Sequence, residues 1–301
     1  MENSDKIPEL LARISYLESL LTAHSIPFTK SPQNLSPPKP QPQNQNSSPF
    51  QTSLSLSQEN PLSIPLIERY SRQMLLSEIS LEGQKKLQNA KILVVGAGGI
   101  GTPALYYLAG MGIGTIGIID GDVVEESNLH RQILHKTNRL GMNKALSAFK
   151  TLYKFNPNPN YKVYKSRLSL ENFNEIVKNY DIILDASDNA MTRYLLNDIC
   201  ILFKKILISG SALGWEGQLT VFGFKSNAPC YRCLFPICPR NMMSCGEAGV
   251  VGMVPGLIGI LEAIEALKII VGVEGVLSQE MLIYDGIRTV FKKVKLRGRQ
   301  K

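Results

Sequence analysis

The stretch KILVVGAGGIG, residues 91–101, joins a short run of apolar residues to a glycine-rich turn. A strand that leads into such a turn and then into a helix is typical of nucleotide-binding α/β folds, because glycines let the backbone approach a phosphate and the helix start presents free amides to it. An acid ends the next apolar run, about twenty residues further on, where a carboxylate can accept from ribose hydroxyls. A purely structural glycine turn is the alternative. The predicted nucleotide site consists of Gly96, Gly98, Gly99, Gly101 and Asp120.

Strand-like runs continue beyond this stretch and alternate with helix-length runs such as TPALYYLAGMG. The runs predicted to form strands are KILVVGAG, IGTIGIID, DIILDASD, KKILISGSA, GQLTVFGF and EMLIYDGI. The last two are expected to extend the sheet antiparallel, and a helix from Gly256 to Val271 to cover one face. The predicted fold class is α/β, with a Rossmann-like, doubly wound, mostly parallel sheet and an antiparallel extension.

Composition divides the chain into four segments. Residues 1–28 carry apolar residues spaced by three and four, which predicts a short heptad helix. Residues 29–65 are rich in Pro, Gln, Asn and Ser, which predicts a disordered linker. Residues 66–295 hold the strand and helix patterns and form the predicted globular domain, and residues 296–301 form a predicted basic tail.

Charge and cysteine content narrow the classes of function. The formal net charge is +8, and six basic residues lie in the last eleven positions, where a solvated tail is expected rather than a nucleic-acid site. Five cysteines and an N-terminus without a secretory pattern predict a cytoplasmic protein. The most apolar stretch contains Glu262, Glu265 and Lys268, so it is expected to be a packed helix and not a membrane span. The basic residues of the C-terminal end are Lys292, Lys293, Lys295, Arg297, Arg299 and Lys301.

Further polar residues follow the predicted ribose-binding acid. A dinucleotide's pyrophosphate is already held by the glycine turn, so additional fixed cations favour a ligand with more phosphate charge, such as ATP, over the nicotinamide cofactor of a dehydrogenase. Taken singly, each of these polar residues could instead be a solvated surface residue. The segment DASDN then places Asp185 and Asp188 near the sheet edge, where a carboxylate beside phosphates indicates magnesium, although Asp188 could instead cap a helix. The predicted phosphate-binding residues are Asn128, Arg131, Gln132 and Lys144.

The ordered set GAGGIG, SNLHRQ, DASDN, CYRC and SCGEAGVVG resembles the ubiquitin-activating-type, ThiF/MoeB-like sulfur-carrier adenylyltransferases. The resemblance covers residues 66–295 and is greatest to the eukaryotic enzymes that carry a C-terminal rhodanese domain. It implies that the chain is an enzyme that uses ATP and Mg²⁺ to adenylate the C-terminal glycine of a ubiquitin-like sulfur-carrier protein. The process served would be molybdopterin synthesis, tRNA thiolation or both.

The resemblance also implies roles for individual residues. The glycine loop would line the nucleotide and Asp120 would hold the ribose. Asn128 and Gln132 would hold phosphates together with Arg131 and Lys144, which would be catalytic. Asp188 would position magnesium. Arg72, in the segment ERYSRQMLL, would reach the ATP of a neighbouring subunit, which implies a homodimer with shared sites.

Four of the five cysteines lie between residues 230 and 245. By the resemblance, Cys230 and Cys233 match half of a structural zinc site whose second cysteine pair has no counterpart in the chain, and Cys238 is not expected to complete it. Cys245 matches a cysteine that forms a transient covalent intermediate with the carrier; a buried, unreactive thiol is the alternative. Zinc binding is therefore expected to be incomplete.

No rhodanese-like segment follows the basic tail, so under the leading hypothesis a separate sulfurtransferase is expected to deliver sulfur in trans.

Two alternatives to the leading hypothesis remain open. The chain could instead activate another ubiquitin-like modifier or a small carboxylate, or it could act as a truncated, non-catalytic relative and binding partner. Carrier-dependent exchange of pyrophosphate into ATP would distinguish the enzyme from the binding partner.

Overall fold

The computed structural model describes residues 62–225, 227–237 and 249–297. The predicted heptad helix, the linker up to residue 61, Cys238, Cys245 and residues 298–301 lie outside the described residues. Predictions about those segments stay predictions.

Within the described residues, eight strands form a single mixed sheet in the order β3-β2-β1-β4-β5-β6-β7-β8. The first five strands of that order are parallel, and from β5 to β8 each strand is antiparallel to its neighbour. The predicted α/β fold class with an antiparallel extension is confirmed. The strands are β1 Lys91–Val95, β2 Thr115–Ile119, β3 Asn160–Tyr164, β4 Ile182–Asp185, β5 Ile206–Leu213, β6 Glu216–Phe222, β7 Glu280–Asp285 and β8 Val290–Lys295.

Helices cover the sheet, and two of them begin earlier than predicted. The first starts at Ile64, two residues before the predicted start of the globular domain, with Pro65 in its first turn. The last starts at Met253 and not at Gly256, and it ends at Val271, followed by Gly272 in the left-handed conformation. The helices are α1 Ile64–Met74, α2 Ser80–Asn89, α3 Gly101–Met111, α4 Lys144–Phe155, α5 Phe173–Val177, α6 Ala190–Leu202, α7 Tyr231–Leu234 and α8 Met253–Val271.

The central strand β1 contacts apolar clusters on both faces of the sheet. Ile92 and Val94 pack into the cluster under α3 and α8, whereas Leu93 and Val95 pack into the cluster that includes residues of α6. Strands buried on both sides need continuous apolar runs, which explains the sequence KILVV. Each fully buried aliphatic side chain of this kind contributes about 1.5–3 kcal/mol of transfer free energy. The rigid centre of the sheet therefore carries the loop that follows β1.

The two edge strands were not predicted as strands. β3 was missed, and the lysines of β8 were interpreted as part of a solvated tail. In the structure, Lys292, Lys293 and Lys295 lie on β8, paired antiparallel with β7, and Lys293 Nζ lies 3.8 Å from a carboxylate oxygen of Glu280. All six residues of β8 are exposed, and lysines on an edge strand discourage pairing with another chain. These three lysines are solvated, as expected, but the prediction that they belong to a tail was wrong, because they lie on a paired strand.

Candidate active site

The strand order reverses between β1 and β4, so the loops after these strands separate to opposite faces. Ligands of doubly wound sheets bind in the crevice that forms at this point. The loop after β1 is the glycine turn, and the loop after β4 contains Asp188. The fold therefore brings together the two motifs that the sequence marked as functional.

The glycine turn is built from backbone contacts that exclude larger side chains. Gly96 has φ +102°, and a Cβ at this residue would lie 2.6 Å from the carbonyl oxygen of Ala186. A Cβ at Gly99 would lie 3.2 Å from Pro255, and one at Gly101 would meet the Gly96 carbonyl. The turn is a cradle whose open side faces the cavity.

Asp120 fixes the turn from the end of β2. Its Oδ2 accepts a hydrogen bond from the Ala97 amide at 2.8 Å, and its Oδ1 accepts from the Asp122 amide at 2.8 Å. Burial raises the pKa of Asp120, although both amides oppose that shift. The carboxylate retains lone pairs for ribose hydroxyls, so the structure is compatible with its predicted role in holding the ribose. Asp120 has a structural role as well, because it holds the glycine turn in place.

His135 supports the same turn and was missed from the sequence. Its Nε2 lies 2.9 Å from the Ala97 carbonyl oxygen, and its Nδ1 lies 3.1 Å from Ser147 Oγ on α4. A carbonyl only accepts, so Nε2 carries the proton and Nδ1 accepts from the serine. Burial lowers the pKa of His135, which favours this neutral form. The sequence offers no periodic pattern that would have separated this histidine from a core residue.

In the part of the chain that the structure describes, four basic side chains line the nucleotide cavity, which has a volume of about 400 Å³. Two were predicted, Arg131 and Lys144; the other two, Arg167 and Arg193, were not. Asp122 Oδ2 lies 3.3 Å from Lys144 Nζ, and its Oδ1 accepts from Arg167 Nη2 at 2.8 Å. Partial burial acts to raise the pKa of Asp122, but these two cations hold it below its ordinary value. The cavity is therefore suited to a polyanion such as the triphosphate of ATP.

Two predicted amides lie close to this cavity and keep an unused acceptor. Gln132 lines the cavity, whereas Asn128 does not, although its main-chain carbonyl accepts from the amides of Arg131 and Gln132; both side chains are buried. Within the described residues, neither Gln132 Oε1 nor Asn128 Oδ1 has a hydrogen-bond partner. Buried acceptors without a partner are uncommon, so they indicate groups available to a ligand or water. Arg72 is exposed on α1 and does not line this cavity.

Asp188 stands exposed at the mouth of the nucleotide cavity. The helix after it is capped by Asn189, whose Oδ1 accepts from the Thr192 amide at 2.9 Å, so Asp188 is not the cap. Asp185 is buried and accepts from Ser209 Oγ at 2.9 Å and from the Ser187 amide at 3.2 Å. Of the two acids in DASDN, Asp188 alone is placed to face a ligand, whereas Asp185 holds the loop.

A wider groove of about 980 Å³ adjoins the nucleotide cavity. One side is the open face of β5 and β6, and the other is α6 together with the segment 231–237. The two cavities share Asp188, Asn189, Arg193 and Ala212. Aromatic residues such as Tyr231 and Phe235 supply much of the groove's apolar wall. Sequence reasoning did not find this groove.

The thiols of Cys230 and Cys233 are held close together at the far end of this segment. Their Sγ atoms are 3.3 Å apart, and Cys233 is exposed. Arg232, between them, forms two hydrogen bonds of 2.7 Å to the carboxylate of Asp198 on α6. In the described part of the chain, no group of three or more His, Cys, Asp or Glu side chains is placed to hold a metal. The predicted role of the two thiols as half of a zinc site stays a prediction.

The profile of the ThiF family matches residues 70–301. The chain belongs to the ThiF family. Its similar relatives include proteins named adenylyltransferase and sulfurtransferase MOCS3: that of Culex quinquefasciatus is 51% identical over 236 residues, that of Xenopus laevis 50% over 241, and that of Dictyostelium discoideum 48% over 245. These alignments cover 78%, 79% and 80% of this chain but 54%, 53% and 57% of the relatives, so the chain spans about half their length.

Solved structures agree on the fold. E. coli MccB, crystallised with MccA-N7isoASN, has a TM-score of 0.67 at 22% identity and covers 78% of this chain and 72% of its own. PaaA has a TM-score of 0.67 at 22% identity, with 79% and 85% covered. At this identity the likeness concerns the fold alone. Among the described helices of the ThiF-family chain, none has the length and apolar character needed to cross a membrane.

Proposed function

We propose that this ThiF-family domain adenylates the C-terminal glycine of a ubiquitin-like sulfur-carrier protein at the expense of ATP, for molybdopterin synthesis, tRNA thiolation or both. One observation carries the proposal: a basic, glycine-lined cavity and a larger groove meet at Asp188. The names of the MOCS3 relatives support the same activity.

The reaction joins two anions, so the chain's task is to position them and neutralise their charge. A carboxylate oxygen of the carrier attacks the α-phosphorus of ATP. The bond from that phosphorus to the bridging oxygen breaks, and pyrophosphate leaves with the electron pair. Arg131, Lys144 and Arg167 would hold the triphosphate, while the carrier's C-terminus would reach the α-phosphate from the groove.

Magnesium fits the acids of this site. The ion usually binds through one or two carboxylates together with substrate phosphates, and not in a cage made by the protein alone. Asp188 is exposed in the nucleotide cavity and is not used as a helix cap. When bound, magnesium would neutralise phosphate charge, and Asp188 would be the residue that holds it.

The proposal includes partners that follow from the resemblance. Arg72 is exposed on α1, outside the nucleotide cavity of its own chain, which suits a role in the site of a second copy and a homodimer. Sulfur delivery by a separate sulfurtransferase, the covalent role of Cys245, incomplete zinc binding at Cys230 and Cys233, and a cytoplasmic location remain predictions.

Carrier-dependent exchange of pyrophosphate into ATP tests this function. The full chain would be assayed with ATP, magnesium and a ubiquitin-like carrier ending in Gly-Gly, beside the variants Asp188→Ala and Asp188→Asn. We expect exchange only with the carrier, and a loss on the order of 100-fold or more in both variants, because Asp188 would hold the magnesium ion that neutralises charge on the reacting phosphates.

Asp181→Ala is the matched control. Asp181 lies just before β4, at the opposite end of the strand that leads to Asp188, and accepts a hydrogen bond from the Lys91 amide. The Asp181→Ala variant should retain pyrophosphate exchange close to that of the wild type. Folded, ATP-binding protein that supports no exchange with any carrier would overturn the proposed activity and favour the binding partner.

A further inference from the structure

Arg193 occupies the boundary between the nucleotide cavity and the groove and lines both. It lies in the first turn of α6, and its Nη2 donates to the Ser187 carbonyl at 3.1 Å. Its Nε is buried and has no hydrogen-bond partner among the described residues. The guanidinium is thus anchored at the Ser187 carbonyl and interacts with the Tyr231 side chain, while its Nε keeps donor capacity for a ligand.

The electrostatic setting of Arg193 differs on its two sides. On the nucleotide side, Arg131, Lys144 and Arg167 already supply positive charge. On the groove side, Arg193 is the only basic residue among the described lining residues, and Asp188 and Glu216 are acidic. An anion that approached through the groove would therefore meet one cation, at the point where the groove reaches the phosphates.

Arginine suits this position for a geometric reason. Its planar guanidinium presents N–H donors in fixed directions, so it can hold one carboxylate oxygen in a defined place, and it keeps its charge at all physiological pH values. Its neighbour Tyr231 adds an aromatic hydroxyl on the groove side; burial raises the pKa of Tyr231, and Arg193 opposes that shift. A carboxylate held here would be shielded from repulsion by the triphosphate.

We infer that Arg193 binds the C-terminal carboxylate of the acyl substrate at the junction of the two cavities and orients it towards the α-phosphate. This inference rests on the proposed function, because it names the group that receives the carrier in that reaction. Arg193 holds one carboxylate oxygen and leaves the other free to form the bond to phosphorus. The guanidinium also selects a free acid over a C-terminal amide.

The test compares binding of two forms of one carrier. A ubiquitin-like carrier ending in Gly-Gly would be prepared as the free acid and as the C-terminal carboxamide, and each would be titrated into the full chain with α,β-methylene-ATP, which prevents turnover. Wild-type protein should bind the acid about 10- to 100-fold more tightly than the amide, the range expected for a charge-assisted hydrogen bond. In Arg193→Gln this preference should disappear, and in Arg193→Lys it should be partly retained.

Arg167→Gln is the matched control, because Arg167 lines the nucleotide cavity and not the groove. It should keep the preference for the acid and weaken nucleotide binding instead. Thermal unfolding of every variant checks the fold, and the comparison of acid with amide on wild-type protein needs no variant at all.

Three results would overturn the inference: equal binding of acid and amide by wild-type protein, no binding of the free acid, or an Arg193→Gln variant that keeps the preference and loses only nucleotide affinity. Failure of the proposed function has a different signature. In that case pyrophosphate exchange is absent while the preference for the acid and its loss in Arg193→Gln persist.

Discussion

The nucleotide cavity and the groove share one boundary but are built from different parts of the chain. Main-chain atoms of the glycine turn and of residue 186 form the tightest wall of the nucleotide cavity. Side chains of β5, β6, α6 and the segment 231–237 form most of the groove. A wall made of backbone tolerates almost no change in shape, whereas a wall made of side chains can adjust. A single added methyl group should therefore strongly reduce stability and binding in the nucleotide cavity, whereas a substitution in the groove should have a small effect on them.

Gly96→Ala is the most severe way to test this contrast. Alanine would have to adopt φ +102°, which L-residues rarely do, and its Cβ would lie 2.6 Å from the Ala186 carbonyl oxygen. Backbone strain and overpacking together should cost about 3 kcal/mol or more of unfolding free energy. Urea denaturation would measure this loss, and nucleotide binding by the remaining folded protein should be severely weakened.

Gly141→Ala is the matched control for backbone strain alone. Gly141 also has a positive φ, +77°, but a Cβ there would have no atom within 4 Å. Its cost should be about 1–2 kcal/mol, with nucleotide binding intact. Equal effects of the two substitutions would show that the close contact with Ala186 does not matter and that the nucleotide wall is less rigid than the structure indicates.

Glu262 lies on α8 against β5, a strand that lines the groove, and tests whether a charge buried there affects stability. It is fully buried against the backbone at Gly210, and burial raises its pKa well above 4.5, with Asp185 adding to the shift and Arg193 opposing it. The folded state therefore binds a proton more readily than the unfolded state. The contribution of neutral Glu262 to the free energy of unfolding is fully present below about pH 4.5. It is lost as the pH rises through the pKa of the folded state.

Glu262→Gln should remove that pH dependence. We expect its melting temperature to exceed that of the wild type by more at pH 8 than at pH 5, because the amide cannot ionise. Glu265→Gln serves as the control on the same helix: Glu265 accepts from the Leu277 amide at 2.9 Å and pairs with Lys268, so its substitution should destabilise the protein at pH 8. A gain at pH 8 in both variants would contradict the assignment to Glu262.

The same contrast explains how much could be predicted from sequence. The glycine turn, Asp120 and Lys144 lie within one continuous stretch and obey a fixed spacing, so local sequence was sufficient to predict their common site. Arg167 follows β3 and Arg193 lies on α6, and only the strand order brings them to the same cavity. A single sequence does not reveal that order for long-range neighbours.

Edge strands and the groove were missed for a related reason. The run VFKKVK has lysines on both faces because β8 is exposed on both, so it lacks the apolar alternation by which strands are recognised. The groove is formed by the open face of β5 and β6 and by a segment that packs on α6, and no motif encodes such a surface. Sequence therefore predicted the residues that lie in short recognisable motifs, and not the residues and surfaces that only the packing of separate elements brings together.

The smallest expected effect concerns the wall of the groove. The hydroxyl of Tyr194 on α6 donates to the Phe235 and Ile237 carbonyl oxygens, at 2.8 and 3.0 Å, and so fastens the segment 231–237 to the helix. Tyr194→Phe removes this link and keeps the ring, which contacts Tyr231 at a centroid distance of 5.0 Å. We expect a loss of about 1 kcal/mol in unfolding free energy and faster amide exchange in residues 231–237.

Function should respond on the groove side alone. The carrier concentration for half-maximal exchange should rise a few-fold in Tyr194→Phe, while nucleotide affinity stays unchanged, because the segment touches the groove and not the glycine turn. Tyr107→Phe, a change at an exposed tyrosine of α3, should leave both values unchanged. If Tyr194→Phe weakened nucleotide and carrier binding to the same extent, the two cavities would respond as one unit, and the distinction between a wall of backbone and a wall of side chains would lose its functional meaning.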